Sequence, residues 1–371
     1  MTAGTMARAS QVSVPADAQG APGGEASGGA AGGAAAGLAS ANRYRLMGLL
    51  TAVAALALVL WLSLVVGSKD VDLASLWPAI TAYDGSPEHV IIRDLRLPRT
   101  VTGVLVGIAL GLSGALIQAL TRNPLADSGI LGVNAGAGFF VVLGVALFGV
   151  TTIGEYIWFS FAGAVVATVG VYFIGSRGRG GATPLRLTLA GVALGAVLGG
   201  ISSGITLLRP AVFDSMRSWS AGTLSNRTWE IFTAVTPFIV VGALIALALA
   251  RPLNAVALGD DTAKSLGANI TSTRVWTIVS VTLLCGAATA AAGPIGFVGL
   301  MIPHVSRWIV GPDQRWILAY TLVLSPVLLL VSDIAGRLVL RPAEMQVGII
   351  TAFIGAPVLI WLIRRRKVST L

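Results

Sequence analysis

Charge is what this sequence has least of. Only 11% of its 371 residues are Asp, Glu, Lys or Arg, against roughly 25% in a soluble protein. That deficit excludes an ordinary water-soluble globule. Histidine is scarcer still. His89 and His304 are far apart in sequence and fall on opposite sides of the topology derived below, so they form no metal pair. The single cysteine, Cys285, lies inside an apolar run. It excludes an internal disulfide and a thiolate cluster, and it reads as a packing residue whose thiol stays protonated. No Gly-rich loop leads into Lys-Ser/Thr, so the chain does not hold ATP in a P-loop. No Ser-His-Asp set has suitable neighbours. No catalytic residue, metal site or cofactor is therefore expected. Ionisable residues inside the apolar runs are nearly missing too, apart from Asp333 and Arg337. A stand-alone secondary carrier needs such groups as relays or ion ligands. Their scarcity weighs against that alternative and asks for energy from another subunit.

What is present is apolar sequence. Hydrophobic residues make up 55%, and the mean hydropathy is +0.84. The runs approach the ~20 residues that a bilayer-spanning helix needs, and they do not alternate as membrane strands do. The fold class is an all-α integral membrane protein. Residues 1–42 are Gly, Ala and Ser with scattered charges, too poor in apolar area to order themselves, and are expected to be a disordered cytoplasmic tail. The first run, Leu46–Val66, follows Arg43 and Arg45, so it reads as an uncleaved first span and not as a signal peptide. Residues 43–371 form one transmembrane domain. A polar excursion, Lys69–Arg99, contains one amphipathic piece, VDLASLWPAI. Further segments fall near 100–121, 130–150, 155–175, 186–208, 229–250, 274–292, 295–310, 315–336 and 344–363, for about ten spans in all.

Orientation follows from the basic residues. With both termini inside, Lys69, Arg93, Arg96, Arg99, Arg209, Arg217, Arg227, Arg337 and Arg341 lie outside, and the other sixteen of the 25 Lys and Arg lie inside. The bias supports N-in, C-in. The net charge of +9 is thus flank charge at a bilayer, and no nucleic-acid partner is implied. The nine tryptophans all sit near span ends, the level of the headgroups. Gly103, Gly107 and Gly111, then Gly114, and the pairs Gly195/Gly199 and Gly200/Gly204, have the spacing that lets helices approach closely in lipid.

Two places interrupt the helical text. One is Asn123-Pro124-Leu125-Ala126-Asp127-Ser128-Gly129; the other is Gly293-Pro294-Ile295-Gly296-Phe297-Val298-Gly299. Irregular backbone at membrane depth survives where protein or water satisfies it, so both are candidates for a transport path. A third feature is the island Arg251–Arg274 between two spans. Gly259, Asp260 and Asp261 supply a helix start with an acidic first turn, Ala263 to Leu266 carry a turn or two, and Gly267 stops it. So short a helix is marginal alone and needs a surface to rest on.

These residues resemble a known family. Arg96-Leu97-Pro98-Arg99-Thr100, then Gln118-Ala119-Leu120-x2-Asn123-Pro124-Leu125-Ala126-x2-Gly129-x2-Gly132, is similar to the membrane subunits of type II ABC importers, the iron–siderophore, haem and cobalamin uptake family. Leu189 to Gly195, Gly293 to His304, and Gly355-Ala356-Pro357-x3-Trp361-Leu362 agree, so the match runs from about Leu46 to Arg366. The resemblance implies a ten-helix permease in the cytoplasmic (plasma) membrane of a bacterium, surrounded by membrane lipid. It implies a second permease subunit, identical or related, a cytoplasmic ABC ATPase dimer and an extracytoplasmic substrate-binding lipoprotein. It makes the 251–274 loop the ATPase coupling element, with Gly259, Asp260, Asp261, Ala263, Leu266 and Gly267. It makes Arg96, Arg99 and Arg337 the docking residues for the binding protein, through charge complementarity. It places Asn123 and Leu125, with Gly293, Pro294 and Gly296, along the gate and pathway. Around Thr183 and Pro184 the sequence departs from the cobalamin importer, and no gate residue is assigned there. The cargo implied is a ferric siderophore, with cobalamin or haem as alternatives.

Overall fold

The computed structural model describes residues 30–69, 71–150, 152–177 and 183–365, and the regular structure among them is helical throughout. Two units are distinguished, Met1–Tyr44 and Arg45–Leu371. Helix α1 covers Ala30–Val65, so it begins within the Ala-rich stretch expected to be disordered. Alanine is the strongest helix former, which favours this extension where apolar burial does not. Residues 1–29 of the expected tail, and the basic end Arg366–Lys367, lie outside the described residues.

The second unit continues with α2 (Leu97–Thr121), α3 (Val133–Phe148), α4 (Ile153–Ser176), α5 (Pro184–Leu208), α6 (Trp229–Ala248), α7 (Ile270–Ala292), α8 (Val298–Val310), α9 (Gln314–Val339) and α10 (Val347–Arg365). By length and composition seven helices can cross a bilayer: α1, α2, α4, α5, α6, α7 and α9. Three shorter apolar helices lie at α3, α8 and α10. Together they occupy the ten expected segments.

Local chemistry explains the ends. Ser86 accepts from the His89 N–H, and Pro87 stands in the first turn of a short helix, Pro87–Val90. A π-helical stretch, Ile91–Arg96, carries that helix into α2, so the continuous apolar run starts at Pro87 and not near residue 100. Thr152 and Glu155 form a reciprocal capping box at α4.

Two spans form the axis. Within the chain 78% of the most apolar stretch of α2 is buried and 72% of that of α7, against 6% for α5. Helix α2 packs on α6, α7, α8 and α9. Its glycines do what their spacing implies. A Cβ at Gly107 would lie 2.7 Å from the Pro326 Cα, and one at Gly114 would collide with the Gly299 carbonyl. The α5 glycines differ. Gly199, Gly200 and Gly204 face open space, so that stripe closes no contact within this chain.

Contacts between the connections sort into two ends. One end joins Gly67, Lys69, Arg96, Arg99, Ser225, Arg337 and Glu344. The other joins Arg122, Asn254, Asp260, Arg274 and Asp313.

Candidate functional site

The Arg251–Arg274 island holds two short helices. Ala250–Ala257 buries Ala250, Leu253 and Val256 on one face. It begins at the place where the sequence suggested that α6 merely ran out; Pro252, in its first turn, is compatible with a helix start. Asp260–Ser265 follows, with Asp260 and Asp261 in its first turn and Gly259 (φ +110°) ahead of it. Its end is a double hydrogen-bonded stop: Gly267 N–H donates to Lys264 O at 2.9 Å and Ala268 N–H to Ala263 O at 2.9 Å. Gly267 takes φ +78°, the left-handed conformation this stop needs.

The expected coupling residues separate into two faces. Ala263 is fully buried and anchors the helix. Asp260 points back to the bundle, where Oδ1 meets Arg122 Nη2 at 2.5 Å and Oδ2 meets Arg274 Nη2 at 2.6 Å. Ala263 is thus withdrawn from the surface, while Asp260 keeps 38% of its side chain exposed. Asp261, Leu266 and Gly267 are exposed. Leu258 stands out with Leu266; the two are 64% and 63% exposed. Leu258 was legible as the one large apolar residue beside the Gly259 break, yet sequence reasoning passed over it. The first short helix is tied down as well: Asn254 Nδ2 donates to Asp313 Oδ1 and Asn254 Oδ1 accepts from Gln314 N–H, both at 2.8 Å.

At the opposite end the three expected docking arginines come together, but inside the chain. Arg96, Arg99 and Arg337 are 5%, 9% and 2% exposed. Arg96 donates to the Leu64 and Val65 carbonyls at 2.7 and 2.6 Å. Arg99 grips Asp333 with Nε and Nη2 and reaches Glu344 Oε2 with Nη1 at 2.7 Å. Arg337 pairs with Asp333 and donates to the Ser63 and Val66 carbonyls at 2.8 and 3.0 Å. Desolvated arginines require carboxylates and carbonyls, and Asp333, Glu344 and the end of α1 supply them.

Ser225 also donates to Glu344, at 2.8 Å. Burial pushes the Glu344 carboxyl up, but Arg99 and these hydrogen bonds outweigh it and hold it below its usual 4.5. Arg227 is buried and its guanidinium donates to the Ser225 and Thr223 carbonyls. Burial, and then Arg99 nearby, lower it to about 10. The arginine network lines an open cavity of roughly 240 Å³ with Lys69, Ser225 and Asn226.

The two breaks lie at opposite ends, so the five expected pathway residues are not one site. Asn123 accepts from the Leu125 N–H at 3.0 Å, turning the chain after α2, and Leu125 is exposed. Gly293 (φ +76°) approaches the Trp219 carbonyl, and Thr223 N–H donates to Ala292 O at 2.7 Å. Pro294 borders an open, mostly apolar cavity of roughly 590 Å³ with Ala221, Ile349 and Phe353, while Gly296 is exposed. Thr183 caps α5, and residues 178–182 before it lie outside the described residues.

A model of the FecCD transport family matches residues 55–365. The chain is 50% identical over 305 residues to the ferric enterobactin transport system permease protein FepD of Escherichia coli (strain K12), covering 82% of this chain and 91% of that protein. It is 39% identical over 317 residues to the probable siderophore transport system permease protein YfiZ of Bacillus subtilis (strain 168), covering 85% and 93%. Among solved structures it is similar to an inward-facing conformation of a putative metal-chelate type ABC transporter, with a TM-score of 0.76, 26% identity, and 86% of this chain and 99% of that one covered.

Proposed function

This chain belongs to the FecCD transport family, and from that premise we propose that it carries ferric siderophores across the bacterial inner membrane as the permease subunit of an ABC importer. It is a transport subunit and not an enzyme; ATP hydrolysis and substrate capture belong to partner proteins. The observation that carries the cargo is the 50% identity, over 91% of its length, to a ferric enterobactin permease. The absence of a metal-ligand cluster among the described residues suits a bulky chelate that enters with its iron already coordinated.

The finer assignments combine the distribution of basic residues and the family resemblance with the placement of the two ends. The end bearing Leu258 and Leu266 is assigned to the cytoplasm, where the two leucines seat in an ATPase dimer. The end bearing the arginine network is assigned to the outside. There a carboxylate of a substrate-binding lipoprotein enters the 240 Å³ cavity lined by Arg96, Arg99 and Arg337, guided by the exposed Lys69, Arg93 and Arg217. The 590 Å³ cavity beside Pro294 is open, and a second permease subunit closes it into a path. Gly293, Pro294 and Gly296 then stand at the outer mouth, and Asn123 and Leu125 at the inner one.

The test is uptake by proteoliposomes holding the permease, its ATPase and its binding protein. ATP-dependent entry of radiolabelled ferric enterobactin is expected. Entry of cobalamin or haem instead would reassign the cargo, and uptake without the ATPase would restore the secondary-carrier reading.

A further inference from the structure

Arg122 is the residue at which α2 stops. It takes a left-handed conformation, φ 50° and ψ 32°, which is uncommon for a side chain other than glycine or asparagine. In that pose its guanidinium folds across to the coupling island. Nε donates to the Val256 carbonyl at 2.9 Å, and Nη2 meets Asp260 at 2.5 Å. One arginine thus holds the last turn of the first short helix and the first turn of the second. Asp260 is shared with Arg274 in the first turns of α7. The three residues form a bridge from the coupling helix to α2 and α7, the two most enclosed spans.

We propose that Arg122 and Asp260 are a strut that delivers displacement of the coupling helix to α2, so that ATPase movement becomes bundle movement. This rests on the coupling role given above to the 251–274 loop. The helix itself is six residues long and cannot act as a lever without bracing. Its peptide link to α7 is an exposed turn, and its link to α6 runs through the first short helix. Asn254 braces only the first short helix, toward α9. Arg122 alone, among the hydrogen bonds and ion pairs described, ties the island to α2. Helix α2 is in turn locked along its length, by Gly107 against Pro326 and Gly114 against Gly299, and by Arg99 on Asp333 at its far end. A push on Asp260 therefore moves α2 as a body and does not dissipate in side-chain rearrangement.

The experiment compares wild type, Arg122→Gln, Asp260→Asn, the double variant and Leu266→Glu in the complete importer, reconstituted with ATPase and binding protein and supplied with ferric enterobactin. Three quantities are read: co-purification of the ATPase, ATP hydrolysis, and complexes imported per ATP. For Arg122→Gln the ATPase remains bound and active, while import per ATP falls about tenfold, the loss corresponding to one charge-assisted contact. The loss in the double variant falls short of the product of the two single losses, because both remove the Arg122–Asp260 contact, while the Val256 and Arg274 contacts are separate. Arg122→Lys keeps the charge and guards against misfolding of the glutamine variant. It gives a loss of about threefold, since one ammonium cannot serve both Asp260 and the Val256 carbonyl. Unchanged import per ATP in both Arg122 variants overturns the strut, as does loss of ATPase binding in Arg122→Gln, which would make Arg122 a docking contact. Normal import by Leu266→Glu would instead remove the coupling role from the whole loop.

Discussion

Asp333 is 2% exposed and lies between the guanidiniums of Arg99 and Arg337. Removing it leaves the buried Arg337 with neutral acceptors alone and Arg99 with Glu344 as its one carboxylate, so Asp333→Ala should cost about 3 kcal/mol and lower the unfolding temperature of the detergent-purified protein. Glu344 is the more accessible member of the network, and its contribution depends on pH. Its carboxyl is held below the usual 4.5, with burial opposing and Arg99 dominating. The folded state therefore prefers the ionised form. That preference is fully present above the unfolded value and disappears as pH falls through the depressed folded one. Glu344→Gln should lose about 1–2 kcal/mol at neutral pH, and its gap from wild type should close in melts run progressively below pH 4.5. A gap that persists in acid would mean that the ion pair with Arg99 is not its source. The sequence already singled out Arg96, Arg99, Arg337 and Asp333. The four-residue spacing of Asp333 and Arg337 marks their pair, but the burial was not revealed, because the other acceptors are the α1 carbonyls and Glu344, which no local pattern marks.

At the scale of the element, the coupling island shows what pattern reading can and cannot recover. Gly259, the paired aspartates and Gly267 are local signals, and the second short helix appears where they place it. The Ala250–Ala257 helix was missed because its start is continuous with an apolar span, and only its buried face, Leu253 and Val256, distinguishes it. The inward turn of Asp260 was invisible for a related reason: Arg122 lies 138 positions away in the chain. What remains outward is a pair of leucines that are apolar, largely exposed and raised on a short helix between charges. Leu258→Glu and Leu266→Glu should each insert normally yet fail to retain the ATPase through affinity purification, because a carboxylate is desolvated at the contact. Retention of the ATPase by both variants would place the contact elsewhere on this end of the bundle.

Across the whole molecule, hydropathy located all ten apolar segments, since each must satisfy its backbone internally within a bilayer. Their roles were less legible. That α2 and α7 form the axis while α5 is bare depends on partners, not on hydropathy, as all three are similarly apolar. The glycine spacing of α2 and of α5 looked alike, yet the α2 glycines lie in close contact with neighbours, whereas of the α5 set only Gly195 has a neighbour, Ala135, within 4 Å of an added Cβ. The placement of the cations at the end bearing the arginine network is likewise a property of the assembled surface. With Arg96, Arg99 and Arg337 committed to internal partners, Lys69, Arg93, Arg209, Arg217 and Arg341 remain exposed at that end. Those cations stand among the exposed Asp72, Asp84, Asp94, Asp214 and Glu230, so attraction for an acidic partner is local to the basic side chains and acts mainly on the rate and registry of encounter. Docking of the substrate-binding protein should therefore weaken as salt is raised and the Debye length shortens. Arg93→Glu with Arg217→Glu should slow association in surface-bound kinetics at low salt, and the difference should shrink at high salt. Arg96→Glu behaves differently: it sets a carboxylate against the Leu64 and Val65 carbonyls and the chain loses its fold. Association of the double variant at the wild-type rate in low salt would assign docking to the cavity alone.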